Sequence, residues 1–305
     1  VCGVTVTELR PRVTLGGSSA AAAAGIDPYR SRVMLWLELT GRIERPETEA
    51  MAWGTALEGV IVDALPDYGY TASPMAAEDA VATDPLRPWL IGHPDGWAVA
   101  DGHPRDVFLL EVKTAGPFAH KWDGSAPLHY QAQCQVYMHL TGLQRALLAC
   151  LVGGQRLVLQ TIDRDETAIG YLLAALEDFY AYVMTDTPPP PDGSDSARDA
   201  LALMYPSATS GLVHRLTATE WESVRELRAR KEQLKAITLQ VTELENELKA
   251  AMGDAETAVS PFDTEALHWR TVPRTAVDVA RFKELRPELA QLFTSTTESR
   301  RFTVA

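Results

Sequence analysis

The spacing of apolar residues changes several times along this chain, and each change predicts a different element. The segment GGSSAAAAAGI reads as a loop entering a short helix, with Ser18 or Ser19 as its N-cap. Gly25 and Pro28 then mark a stop and a restart into SRVMLWLELTG, where Val33, Trp36 and Leu37 face a core and Gly41 ends the helix. Between about Glu47 and Leu65, Met51, Leu57, Ile61 and Leu65 recur at roughly helical spacing. Glu58 lies beside that stripe. A glutamate at the stripe's edge is ordinary, whereas one turned inward needs a partner, a proton or a metal.

The next stretch, PLRPWLIGHPDGWAVADG, is broken by Pro and Gly and reads as short strands and loops. Trp97, Val99 and the Gly102–Pro104 run predict a hairpin that returns as DVFLLEVKT. Alternation along that strand puts Leu109, Glu111 and Lys113 on one face, with Leu110 and Val112 on the other. LHYQAQCQVYMHLTG is a helix in which Gln133 and Tyr137 are neighbours one turn apart. Two strands, RALLACLVGG and QRLVLQTID, and a long apolar-aromatic helix over Glu166–Tyr182 follow. TPPPPDGSDS is a linker or surface crossing, since proline suits neither a helix interior nor a strand ladder.

The last third has another character. Thr217 and Glu220 have the spacing of a capping box, and the helix expected over 217–251 carries Leu234, Ile237, Val241, Leu244, Leu248 and Ala251 alternately three and four apart. That is a short coiled-coil seam, assigned here to packing or assembly, with Glu243, Glu245 and Glu247 solvated between its positions. Gly253 closes the helix. ETAVSPFDTEALHWRTVP reads as a small hairpin, RFKELRPELAQLF as a terminal helix and RRFTV as a closing strand. The division expected is a core over 1–192 and an extension over 193–305.

Composition narrows the class. The 305 residues are 46% hydrophobic and 23% charged, which suits a folded protein with one large core or a core plus a smaller unit. A net charge of -13 argues against a protein that coats nucleic acid indiscriminately, though it says little about one cleft and its cations. The three cysteines, Cys2, Cys134 and Cys150, make no disulfide framework and match no zinc spacing. The N-terminal segment has no basic region followed by a long apolar run, and Ala20–Ile26 is too short to cross a membrane. Neither secretion nor membrane insertion is expected, and the missing initiator Met suggests a start inside a longer chain.

Against that background, Pro94-Asp95 followed by Glu111-Val112-Lys113 stands out. Phosphodiester hydrolysis needs a nucleophilic water, neutralisation of phosphoryl charge and help for the leaving oxygen, which oxygen-ligated divalent cations supply. Mg²⁺ takes carboxylates, carbonyls and retained waters. Asp95 opens one hairpin strand and Glu111 lies late on the next, so their carboxylates can converge, with the Val112 carbonyl as a further ligand. Lys113, on the face of Glu111, is suited to orient or deprotonate the water. Each fragment also has a plain structural reading, a PDG turn for Asp95 and a same-face ion pair for Glu111 and Lys113. The strong apolar strand running into EVK opposite the PD hairpin favours the metal, because an uncompensated buried Glu111 is costly.

These pieces, in this order, resemble the YqaJ-type viral recombinase nucleases, relatives of the phage lambda exonuclease within the PD-(D/E)xK superfamily. The resemblance is carried by GGSSAAAAAGIDPYRSRVMLWLELTG, MAWGTALEGVIV, HPDGWAV, FLLEVKTA and HYQAQCQVYMHLTG, spanning roughly residues 10–142. It implies an α/β restriction-endonuclease-like core, a mixed sheet flanked by helices, with a C-terminal helical extension. It also assigns Glu58 to the helical acid of the metal site, Asp95 to the PD acid, Glu111 and Lys113 to the strand motif, and Gln133 and Tyr137 to the QxxxY helix. Ser18 and Ser19 fall where the family binds a DNA end, although GGSSA lacks the acid common after the serine. Arg12, Arg30, Arg32, His93, His120 and Trp122 are candidate DNA contacts, while Trp36 and Trp53 are expected in the core.

The implied activity is Mg²⁺-dependent exonuclease action on duplex DNA ends, with Mn²⁺ able to substitute. It runs 5′ to 3′ and leaves a 3′ tail for a single-strand annealing protein. A homo-oligomer, in the form of a ring trimer, and a bacterial cytoplasm are implied with it. The competing readings are an endonuclease or single-strand-specific nuclease on the same core, a DNA-end-binding scaffold without turnover, and a hydrolase of small phosphoesters.

Overall fold

The structure, a computed structural model, describes residues 13–75, 81–117, 122, 124–296 and 299–304. Two compact units divide the chain, Val1–Met204 and Tyr205–Ala305.

The first unit begins with β1 (Leu15–Gly16), a 3-10 turn over Gly17–Ser19 and α1 (Ala20–Ala23). Ser19 is the N-cap residue of α1, as expected, but its side chain makes no capping hydrogen bond. α2 (Arg32–Leu39) is capped by Ser31, whose hydroxyl accepts from the Met34 amide. α3 (Glu49–Ala64) is capped in the same way by Thr48. Next come β2 (Tyr70–Pro74), β3 (Ala82–Thr83), β4 (Leu90–Gly92), β5 (Gly96–Ala100) and β6 (Val107–Ala115), then α4 (Leu128–Thr141), β7 (Arg145–Val152), β8 (Arg156–Asp163), α5 (Glu166–Met184) and α6 (Asp195–Met204).

The main sheet has the order β2-β5-β6-β7-β8, with β6 and β7 parallel and the other pairs antiparallel. The hairpin through Gly102 is β5–β6, and Gly102 takes the positive φ of 74° that its turn requires. Alternation along β6 sorts its two faces as expected. Leu109 packs with Cys134, Tyr137 and Met138 of α4. Leu110 and Val112 pack with Ile61 and Val62 of α3 on the other side. α4 is covered twice, because Ala132 and Val136 on its far side join a second layer built from α1, α2 and α5. A mixed sheet flanked by helices is therefore the architecture of this unit.

One detail of register makes the site. β5 pairs with β6 only from Val107 to Leu110, while β6 continues against β7 as far as Ala115. From Glu111 onward, β6 has lost its β5 neighbour, and its edge is open between α3 and α4.

Four local details depart from the sequence reading. The run following the proline tract is α6, whose Ala197 and Ala200 are buried, so the first unit extends beyond the prolines. β1, β4 and β3 form a separate small sheet, with Leu15 beside Leu90, a pairing no local pattern reveals.

In the second unit, α7 (Ala218–Met252) starts with the complete Thr217/Glu220 capping box. β9 (Thr257–Val259) and β10 (Glu265–His268) form the expected hairpin. The third correction concerns the terminal helix, which is two pieces, α8 (Val279–Leu285) and α9 (Pro287–Leu292). Pro287 lacks an amide hydrogen and disfavours helical backbone at Arg286, which sits at φ -139° and ψ 59°. Residues 300–304 form no strand. Among the described residues, no helix is long and apolar enough to cross a membrane.

Candidate active site

Asp95, Glu111, Lys113 and Gln133 meet at the open edge of β6, with Glu58 nearby. Asp95, just before β5, accepts a hydrogen bond from the Val112 amide at 2.6 Å through Oδ2. A residue in an extended strand sends its N–H and C=O to the same edge. The Val112 carbonyl therefore faces the side on which Asp95 sits. Glu111 is 1% exposed; its Oε1 accepts from Lys113 Nζ and, at 2.6 Å, from Gln133 Nε2. Its other oxygen, Oε2, is buried without a hydrogen-bond partner. Glu58 on α3 is close enough to act electrostatically on Asp95 and Lys113.

α4 contributes two buried glutamines with different tasks. Gln135 bridges the Asp163 carbonyl and the Asp165 amide, fastening the turn from β8 into α5. Gln133 reaches the sheet instead, touching Glu111 and, at 3.3 Å, the Tyr137 hydroxyl. Tyr137 is buried against Gly17, where an added Cβ would stand 2.3 Å from its ring. The second glycine of the GGSS segment thus leaves room for the aromatic ring that backs Gln133. Gly17→Ala is expected to displace that ring and destabilise the fold by about 1–3 kcal/mol. Gly16→Ala, whose nearest neighbour would be Ser18 Oγ at 3.6 Å, should unfold close to wild type. Equal melting temperatures for both variants in a thermal unfolding experiment would contradict this packing.

The electrostatics are those of crowded acids. Burial raises the Glu111 carboxyl to about 7, assisted by Asp95 and Glu58 and opposed by Lys113. Burial also raises Asp95, against the pull of Lys113 and the Val112 amide. Glu58 is raised by burial and then by Asp95. Burial would lower Lys113, but the charges of Glu111 and Asp95 outweigh it and hold the ammonium above its usual range. Its Nζ also lies 5.5 Å from the centre of the Tyr130 ring.

A divalent cation fits the donor set. Among the described residues, no three His, Cys, Asp or Glu side chains form a ready-made cage. The donors here are of another kind: an unpartnered buried carboxylate oxygen, a second carboxylate and a strand-edge carbonyl. That is an oxygen set with room for retained waters, which suits Mg²⁺ better than Zn²⁺.

The other expected residues divide. Ser18 is exposed, Ser19 is buried, and Arg30 is pinned to the Ser18 carbonyl at 2.9 Å and to Glu38 at 3.1 Å. His93 is exposed next to Pro94. Arg32 is not brought to the site: it pairs with Asp178 and lies over Phe179 and Tyr182. Arg12, His120 and Cys2 lie outside the described residues.

The tryptophans correct the expectation. Trp122 is buried and stacked on Tyr130 at 5.6 Å, so it backs the ring beside Lys113 and offers no open face to DNA. Trp36 is in the core as expected, whereas Trp53 is 59% exposed. Trp53 and Leu57 on α3, with Thr114 and Gly116 at the end of β6, line a cleft of about 220 Å³. Trp53 shares the helical stripe of Leu57, but the first turns of α3 overhang a strand end at Ala115 and Gly116 that offers little side chain to cover it.

Residues 7–144 match the model of the YqaJ-like viral recombinase domain. The uncharacterized protein YqaJ of Bacillus subtilis (strain 168) is 26% identical over 298 residues, which is 95% of this chain and 91% of that protein. Among solved structures, an alkaline exonuclease from Laribacter hongkongensis is similar with a TM-score of 0.46 and 20% identity, over 57% of this chain and 90% of that one. A phage related exonuclease from Haemophilus somnus 129PT gives a TM-score of 0.43 and 14% identity, over 57% and 96%.

Proposed function

We propose, from the match of residues 7–144 to the YqaJ-like viral recombinase domain, a divalent-cation-dependent DNA exonuclease that works on duplex ends. Its direction is 5′ to 3′, and its product is a 3′ single-stranded tail for recombination. The observation that carries this reading is Glu111: a fully buried carboxylate with one oxygen unpartnered, beside Asp95 on an open strand edge.

Asp95, Glu111, the Val112 carbonyl and Glu58 would hold Mg²⁺, with Mn²⁺ as a substitute. When bound, the cation neutralises phosphoryl charge, activates water and stabilises the leaving 3′ oxygen. Lys113 orients the attacking water and balances negative charge as the pentavalent state forms. Gln133 fixes the rotamer of Glu111, and Tyr137 braces Gln133. The exposed Ser18 hydroxyl, beside Arg30, is the candidate contact for a terminal phosphate. The catalytic unit would be the first one, with the tail passing to a single-strand annealing protein in a bacterial cytoplasm. A homo-oligomer such as a ring of three would keep the enzyme on one duplex.

Trp53 gives the site a base-stacking surface just beyond Lys113. Loss of base–aromatic stacking is worth about 1–3 kcal/mol, so Trp53→Ala should raise KM for duplex by about tenfold with little change in kcat. Trp53→Phe should recover most of the difference. Steady-state kinetics with unchanged KM in Trp53→Ala would remove this residue from the DNA path.

The whole reading is tested with end-labelled linear duplex, carrying either a 5′-phosphate or a 5′-hydroxyl, and with a closed circle. Degradation of the linear form in Mg²⁺, with none in EDTA and an intact circle, is the expected result. Cleavage of the circle would make the enzyme an endonuclease. Tight end binding without any cleavage in Mg²⁺ or Mn²⁺ would reduce it to a scaffold.

A further inference from the structure

α7 runs for 35 residues, and none of its described residues is buried. Its apolar seam is open to solvent: Leu234 is 64% exposed and Leu244 59%, with Ile237, Val241 and Leu248 similarly bare. A helix that repeats apolar residues every three and four positions presents a stripe made for another helix. The flanking charges are divided along its length. The N-terminal half carries Arg225, Arg228, Arg230, Lys231 and Lys235 among Glu220, Glu222, Glu226 and Glu232, whereas in the C-terminal half Glu243, Glu245 and Glu247 outnumber the single Lys249.

We propose that α7 is a self-association surface, and that it pairs antiparallel with α7 of a second copy of this chain. Taking Leu234, Val241 and Leu248 as one seam position and Ile237, Leu244 and Ala251 as the other, an antiparallel pair centred on Leu239 is self-consistent. Leu234 then meets Leu244 of the second copy, Ile237 meets Val241, and the two-fold axis repeats both contacts. Leu227 falls opposite Ala251. Arg230 falls opposite Leu248, where its stem can lie along the leucine while its head stays in water.

The same register decides the charges. Lys231 and Glu245 occupy equivalent flanking positions, and the antiparallel arrangement sets each against the other across the seam, twice per pair. A parallel in-register arrangement would instead set Arg230 against Arg230 of the second copy at the same seam position, where like charges repel. Neither charge is committed to a distant element: Glu245 accepts from Lys249 one turn along the same helix, a pair easily exchanged at the surface. The contact is two-fold and isologous, so it is a contact of its own and not the repeating contact of a three-membered ring.

The test is the mass and dissociation constant of the full-length protein by sedimentation velocity over a concentration series. Wild type should associate reversibly, and Val241→Glu should shift dissociation to at least a hundredfold higher concentration. Lys231→Glu, which sets Glu against Glu245, should weaken association about tenfold. Lys231→Glu combined with Glu245→Lys should restore it, because the double exchange recreates both pairs. A protein that is monomeric throughout overturns the proposal, and so does an assembly of any size whose mass these variants leave unmoved. Failure of the double exchange to recover what the single one loses overturns the antiparallel register. A seam that folds back on its own chain would show as a lower melting temperature for Val241→Glu at unchanged mass, which also overturns it. None of these outcomes depends on nuclease activity.

Discussion

Lys113→Ala is expected to lower single-turnover cleavage by about a thousandfold or more while duplex binding in Ca²⁺ stays within a few-fold of wild type. The separation follows from where the side chain lies. Its ammonium is spent on the buried Glu111 and lies over Tyr130, so in the proposed mechanism it would act on the reacting phosphate's surroundings and contribute little to the wider DNA path. Removing it deprives the site of its positive counterweight at the moment negative charge grows on phosphorus. It also removes the group proposed to orient the water. Lys113→Arg should not rescue activity, since a planar fork cannot take the place of a compact ammonium wedged between Glu111 and a tyrosine ring. Quench-flow measurement on end-labelled duplex, paired with a gel shift in Ca²⁺, gives both quantities. Turnover near wild type in Lys113→Ala would end the assignment.

Much of this site could be read from the sequence because its parts obey local rules. Alternation in DVFLLEVKT was enough to put Glu111 and Lys113 on one face, and the one-turn spacing of Gln133 and Tyr137 was enough to pair them. The Thr217/Glu220 capping box and the positive-φ glycine of the β5–β6 turn are local in the same sense. What stayed hidden depends on partners distant in sequence. The requirement for Gly17 exists only because Tyr137, on another element, fills the space its side chain would take. The open edge of β6 depends on β5 stopping short, which no periodicity announces. The tryptophans exchanged roles for a related reason. Trp53 has a core residue's spacing but overhangs the sheet's end, and Trp122 has a polar loop's neighbours but is covered by Tyr130. α6 was masked by its polar composition and by the prolines just before it. Amphipathic spacing says which residues share a side; it does not say whether anything lies beneath that side.

Glu111→Gln should abolish cation-dependent cleavage and yet make the cation-free protein more stable at alkaline pH. Burial lifts the Glu111 carboxyl from 4.5 to about 7. A group raised in the fold contributes stability that is fully present below its unfolded value and is lost as pH climbs through the folded one. Between about pH 4.5 and pH 7, the cation-free fold therefore gives up the advantage of holding that proton. A rise of that size corresponds to about 3 kcal/mol as an upper figure. The pull of Lys113 is already contained in that value, but the variant leaves the Lys113 ammonium buried without the carboxylate that holds its charge, so the net gain expected for the neutral amide is smaller, about 1–2 kcal/mol. Gln keeps an oxygen to accept from Gln133 and Lys113 and carries no charge to bury. In EDTA at pH 8 the variant should melt a few degrees above wild type, and near pH 5 the two should converge. Added Mg²⁺ should raise the wild-type melting temperature and leave the variant's unchanged, because bound ligand stabilises only the fold that holds it. A variant less stable than wild type in EDTA at pH 8 would show that Glu111 is a satisfied structural ion-pair partner. The strain at this carboxylate, on which the cation assignment rests, would then be absent.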